Sequence, residues 1–133
     1  MRPSPGGAAA GSQYSEIVLT NSSDHVCRTG GFGGVSYVGK GSGVQIGAPA
    51  IRDRTSAAST FLLQPGASAT EQLRETDAQN YPTATCDPTP VDGLRIYPPN
   101  ETHALYAAHP TTGCANKAVR LLEISAYRQS PAR

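Results

Sequence analysis

Short β-branched runs, each closed by a turn-forming cluster, constrain this chain more than any other feature. Ile17-Val18-Leu19-Thr20 gives way to Asn21-Ser22-Ser23-Asp24, whose side chains bond nearby backbone and favour a turn. Val35-Ser36-Tyr37-Val38 and Val44-Gln45-Ile46 alternate with period two on either side of Gly39-Lys40-Gly41-Ser42-Gly43, which predicts a hairpin with a glycine-rich connection. Phe61-Leu62-Leu63 runs into Gln64-Pro65-Gly66. There proline presets the first central angle of a type II turn and glycine accepts the positive φ of the second. Leu94-Arg95-Ile96-Tyr97 alternates cleanly and stops at Pro98-Pro99.

Two segments read less plainly. Ser68-Ala69-Thr70-Glu71 fits a helix capping box, and Glu71, Leu73, Arg74 and Glu75 all tolerate helix. Such a helix would have Leu73 as its sole large apolar anchor, so a strand is the better expectation. In residues 118–127, Val119 and Leu121 fall on one strand face while Leu122, Ile124 and Ala126 fall on the other; a β-bulge near Leu121 reconciles them. Residues 76–92 are polar and proline-rich and predict a long loop that carries Cys86. Seven or eight strands at this turn spacing predict an all-β fold, an immunoglobulin-like antiparallel β-sandwich. The expected organisation is one domain over residues 13–128. Residues 1–12 and 129–133, too poor in large apolar groups to offset the entropy of ordering, are expected to be a disordered arm and tail.

At 133 residues the chain is long enough for one core and too short for two ordinary domains. Its 14 Gly and 11 Pro punctuate strands and do not form a low-complexity tract. The formal net charge is +1 and the basic residues are scattered, so the electrostatic footprint of nucleic-acid binding or of anionic lipid binding is missing. Arginine far outnumbers lysine among 11 basic residues, which with the abundance of Ala, Gly and Pro points to a high-GC genome such as an actinobacterium. No apolar run approaches the roughly 20 residues that span a bilayer. The opening residues lack the hydrophobic stretch of a signal peptide, so an exported protein is expected to have its signal peptide or lipoprotein anchor outside this sequence.

The motifs that carry chemistry are weak. Gly34-Val35-Ser36-Tyr37-Val38-Gly39-Lys40 has the spacing of a phosphate-binding loop, but Gly41 follows where a magnesium-binding hydroxyl belongs, the intervening residues form strand, and no helix follows. Asp24, His25 and Cys27 lie close together, yet the second pair of ligands that a structural zinc site needs is missing. Copper carriers favour Met and His, and the one Met is the first residue. Gly66-Ala67-Ser68-Ala69-Thr70 falls short of a nucleophile elbow, and the sequence gives no reason to prefer a histidine-activated cysteine nucleophile. Asn21-Ser22-Ser23 and Asn100-Glu101-Thr102 match glycosylation acceptors, a motif of little weight in a bacterial protein. Three cysteines make one bridge plus one orphan the natural count.

A series of landmarks runs through the chain in order. They are Ala9-Ala10-Gly11-Ser12, Leu19-Thr20-Asn21 before Cys27, Gly33-Gly34-Val35 and Gly47-Ala48-Pro49-Ala50. The series continues with Leu63-Gln64-Pro65-Gly66-Ala67-Ser68-Ala69, Cys86-Asp87-Pro88, Leu94-Arg95-Ile96-Tyr97-Pro98-Pro99 and Cys114. In this series the chain resembles the actinobacterial exported domain-of-unknown-function family 4232 (DUF 4232). The resemblance implies a secreted or lipid-anchored β-sandwich of the cell envelope with no assigned activity, and a strand at Ser68. It also implies a further cysteine, upstream of the Ala-Ala-Gly landmark, that pairs with the position of Cys27 and is absent from this sequence. The expectation is therefore a disulfide between Cys86 and Cys114, with Cys27 a free thiol here.

The functional expectation is a noncatalytic secreted or cell-envelope module that binds a protein or a glycan, with no catalytic residues, cofactor or metal. One alternative is an exported copper or zinc carrier that uses His25 and Cys27. The other is a purely structural domain of an envelope assembly.

Overall fold

The computed structural model describes residues 2–9 by their backbone alone, and residues 11–55, 57–99 and 103–130 in full. Three sheets organise them. The first runs β1 (Arg2–Ala9), β2 (Ser12–Thr20), β8 (Ser68–Thr76), β11 (Leu122–Ile124) and β6 (Ile51–Arg52), with β12 (Arg128–Gln129) also paired to β8. The second runs β10 (Leu105–Cys114), β9 (Pro88–Tyr97), β4 (Gly34–Gly39) and β5 (Val44–Ile46). The third is the pair β3 (Cys27–Gly30) and β7 (Thr60–Leu63). One apolar cluster joins the sheets: Ile17, Leu73 and Ile124 from the first meet Val35, Leu94 and Ile96 from the second. Leu73 and Leu94 are fully buried, and removing each from water contributes roughly 2–3 kcal/mol. The molecule is an all-β, sandwich-like fold.

β8 is the hub. It pairs with β2 along its whole length, from Ser12↔Thr76 to Thr20↔Ser68. Its parity sends Glu71, Leu73 and Glu75 inward and Gln72 and Arg74 outward. The capping-box pattern over 68–71 is thus overridden by sheet pairing on both sides. The turn before it forms as its residues dictate: Ala67 N–H donates to Gln64 O at 2.9 Å, and Gly66 has φ +82°.

The structure departs from the sequence reading in several places. Twelve strands are present among the described residues, more than the seven or eight expected, because several are only two to four residues long. The pairing of β11 with β6 is parallel, although every other pairing is antiparallel. The chain leaves β5 in one sheet and reaches the edge of the other already running alongside β11. Arg2–Ala9, within the arm expected to be disordered, forms β1 and meets β2 through Arg2↔Glu16 and Ala9↔Ser12, with an irregular stretch between. Gln129 belongs to β12, and Ser130 N–H donates to Ser68 O, so the described part of the expected tail is also paired; residues 131–133 lie outside the description.

The long loop expected over 76–92 is shorter and more ordered. It holds a 3-10 turn (Ala78–Asn80) and the one-turn helix α1 (Thr83–Cys86), and β9 begins at Pro88. Pro88 and Pro90 fit a strand there because this stretch pairs only with β10, while β4 joins β9 from Gly93 onward. The expected bulge in the last element also exists, but nearer the C-terminus. Ile124 pairs with Leu73 and Arg128 with Thr70, so the final segment carries one residue more than β8 between them. Val119 and Leu121 are buried ahead of β11 and belong to no strand.

Candidate functional site

Several residues singled out by sequence turn out to hold the fold together. Asn21 is 8% exposed. Its Nδ2 donates to His25 O at 2.9 Å and Leu63 O at 2.8 Å, and its Oδ1 accepts from Ser23 N at 3.0 Å and Ser23 Oγ at 2.6 Å. Both donors and both acceptor sites of the amide are engaged, which leaves no free amide for a glycan. The second acceptor motif, at Asn100, lies outside the described residues. Cys86 and Cys114 form a disulfide with Cα atoms 4.6 Å apart, fastening the end of α1 to the end of β10. Cys27 carries a free thiol and is half-buried.

The remaining candidates do not assemble into chemistry. His25 Nδ1 lies 3.3 Å from Asp24 Oδ1, but the Cys27 sulfur faces Ser23 Oγ and the His25 carbonyl. Among the described residues no three His, Cys, Asp or Glu side chains gather as for a metal ion. The segment 34–40 is β4 and the start of its hairpin, with Gly41 N–H bonded to Asp92 Oδ2 at 2.8 Å. Ser68 Oγ is 2.8 Å from Thr20 Oγ1 across two strands.

The interior also carries polar groups that no sequence motif marks. Tyr37 Oη, from β4, donates to Glu75 Oε2 at 2.5 Å, and His109 Nε2, from β10, is 2.9 Å from both Glu75 carboxylate oxygens. This trio ties the two large sheets together. His109 reaches Glu75 from an irregularity in β10: Ala108 pairs with Gly93 and Thr111 with Val91, leaving one extra residue beside Pro110. The hydrogen bond to Glu75 raises the His109 pKa, with burial opposing and the Glu75 charge adding to it. Burial and the charges of Glu75 and Asp77 raise the Tyr37 pKa and keep its phenol neutral.

A second buried carboxyl has no such partners. Glu71 is 0% exposed, and neither carboxyl oxygen closes a hydrogen bond of good geometry. The Gly33 N–H and the Tyr127 hydroxyl face it, and the hydroxyl likewise closes no hydrogen bond of good geometry. Burial pushes the Glu71 carboxyl up to about 8, with Gly33 and Tyr127 opposing the rise. The signal was present in the sequence, since strand parity through Leu73 places Glu71 and Glu75 on its buried face.

On the surface, β10 is the outer strand of its sheet and pairs with no further strand on that side among the described residues. Leu105 and Tyr106 are 49% and 62% exposed at its start. Tyr106 Oη reaches back to Asp92 O at 3.3 Å, which holds the ring in place across β9. Elsewhere, a polar cleft of about 220 Å³ lies between β2, β8 and β11 and is lined by Tyr14, Gln72, Arg74, Glu123 and Asp53. The described helical segments include none long and apolar enough to cross a membrane.

These features define a disulfide-bonded all-β domain with a few polar groups inside an apolar core and an open strand edge. The chain belongs to the family described as Domain of unknown function (DUF4232), whose model matches residues 2–127. No curated protein and no solved structure matches the chain significantly.

Proposed function

We propose that this domain is a noncatalytic module of an actinobacterial cell envelope that binds a partner protein by strand addition along the edge of β10. The observation that carries the reading is the exposed pair Leu105 and Tyr106 on an outer strand, with the tyrosine already held by Asp92 O. Edge strands are commonly blunted against pairing, and an apolar one left open is suited to accept an extended segment. The other edges of the two large sheets are less suitable. β5 and β6 are three and two residues long, and β1 includes Pro3 and Pro5, which lack the N–H a ladder needs. Pro110 and the irregularity beside it limit the docking stretch to the first half of β10. The buried groups support the same reading. Tyr37 and Glu75 are buried and closed into contacts between the sheets.

The test is retention of the purified domain on isolated actinobacterial envelopes, before and after the envelopes are treated with protease. The expected result is saturable retention that protease abolishes and that the double variant Leu105→Ser/Tyr106→Ala weakens at least tenfold. Retention that survives protease would point to a glycan instead. A specific hydrolytic turnover abolished by one Ser or Cys substitution would overturn the noncatalytic reading.

A further inference from the structure

Glu71 has an unusual setting for a glutamate. From β2 its cross-strand partner is Ile17, and from its own strand the next inward residue is Leu73. From the segment after β11 it meets the Tyr127 hydroxyl, and from residues 31–34 the Gly33 N–H. Among the described residues no Lys, Arg or His pairs with it, and Tyr127 is itself kept neutral by burial and by Glu71. The other inward carboxylate, Glu75, lies roughly 13 Å along the strand at about 3.3 Å per residue.

The segment above Glu71 is fitted closely to Tyr127. Tyr127 N–H donates to Gly31 O at 2.8 Å. A Cβ on Gly33 would lie 2.3 Å from Tyr97 O and 3.2 Å from Tyr127 Cε2, so glycine is required where this backbone crosses the ring. Phe32 packs against the core from the same segment, with the Arg52 guanidinium 5.4 Å from its ring centre.

We infer that the proton on Glu71 is a conformational switch: the neutral carboxyl lets residues 31–34 close over the sandwich, and its loss to solvent base unseats them. The neutral carboxyl suits a buried pocket into which, among the described residues, no cation reaches. The carboxylate has two charged oxygens that need donors, and both are buried without a hydrogen bond of good geometry. The donors within reach are the Gly33 N–H and the Tyr127 hydroxyl, and swinging either into line, or admitting water, moves the backbone locked onto Tyr127. Phe32 moves with it. The switch operates as pH rises through the region of about 8.

The test uses the full chain labelled with 13C-glutamate and with 4-fluorophenylalanine, which reports on only Phe32 and Phe61. The expected result is one glutamate carboxyl that titrates at least two units above the others, with a Phe32 fluorine shift of the same midpoint. The Phe61 signal changes less, and Glu71→Gln removes the Phe32 transition. Should Glu71→Gln not fold, coincidence of the two midpoints in the unsubstituted chain decides the matter. Tyr127→Phe adds a second check, since removing a group that favours the carboxylate moves both midpoints upward. A Glu71 carboxyl that titrates with the other glutamates overturns the inference, as does a Phe32 signal that stays still through the Glu71 titration.

Discussion

Asn21 sits where three segments meet: the end of β2, the following turn through His25, and the β7–β8 connection. Its backbone takes part as well, with Asn21 N–H donating to Ala67 O at 2.9 Å and Gly66 N–H to Asn21 O at 2.8 Å. Asn21→Ala leaves the Leu63 carbonyl without its buried donor and frees the turn. The expected loss is about 2–3 kcal/mol, read from the midpoint of urea unfolding, and a loss below 0.5 kcal/mol would contradict this role. Glu71 makes a prediction of the opposite sign. Its folded pKa lies above the ordinary 4.5, so the folded state holds a proton that the unfolded state has released. Stability is therefore fullest below pH 4.5 on this account and falls as pH rises to about 8, by up to roughly 1.4 kcal/mol per unit. His109 adds to the fall, since its raised pKa gives a contribution present below the ordinary 6.5 and lost as pH rises through the folded value. Unfolding curves at pH 5.5, 7 and 8.5 check this: stability declines across the series, and Glu71→Gln is more stable than the unsubstituted chain at pH 8.5 and has a flatter profile.

The β4–β5 hairpin was legible because every local signal agreed: alternating strand formers, a glycine-rich connection and no competing helix. Lys40 occupies a left-handed position, φ +61°, at the start of that connection. Lys40→Gly removes the Cβ strain and is expected to be neutral or to stabilise by up to about 1 kcal/mol, the gain limited by the entropy of a new glycine. Saturating ATP or GTP with magnesium is expected to leave the melting temperature unchanged; a rise of several degrees would restore the phosphate-loop reading of residues 34–40. Other elements were hidden by their own chemistry. β10 contains Pro110 and a run of small polar residues, and it persists as a strand because an extra residue absorbs the proline. The first half of β9, beginning at Pro88, looked like loop because its prolines are tolerated only where one side of the strand is unpaired. The trio Tyr37, Glu75 and His109 comes from three strands of two sheets, so no sequence spacing could bring it together.

At the scale of the whole molecule, the disulfide and the polar contacts between sheets supplement a modest apolar core. The Cys86–Cys114 bridge closes a separation of 28 residues, worth roughly 3 kcal/mol by restriction of the unfolded chain. Cys86→Ala/Cys114→Ala is accordingly expected to lower unfolding stability by about that amount while leaving the far-UV spectrum of the folded state unchanged. Non-reducing peptide mapping of the unsubstituted chain should return Cys86 linked to Cys114 and an alkylated Cys27; linkage of Cys27 to either of the others would contradict the assignment. The order of the sheets leaves the start of β10 as the surface on which the functional reading rests. Photo-crosslinking in an actinobacterial host tests that reading most directly, with benzoylphenylalanine placed at position 106 or 108 on the edge, or at position 72 on the outer face of the other sheet. The account predicts a discrete protein adduct from 106 and 108 and none from 72; adducts from 72 alone, or none from the edge, would contradict it.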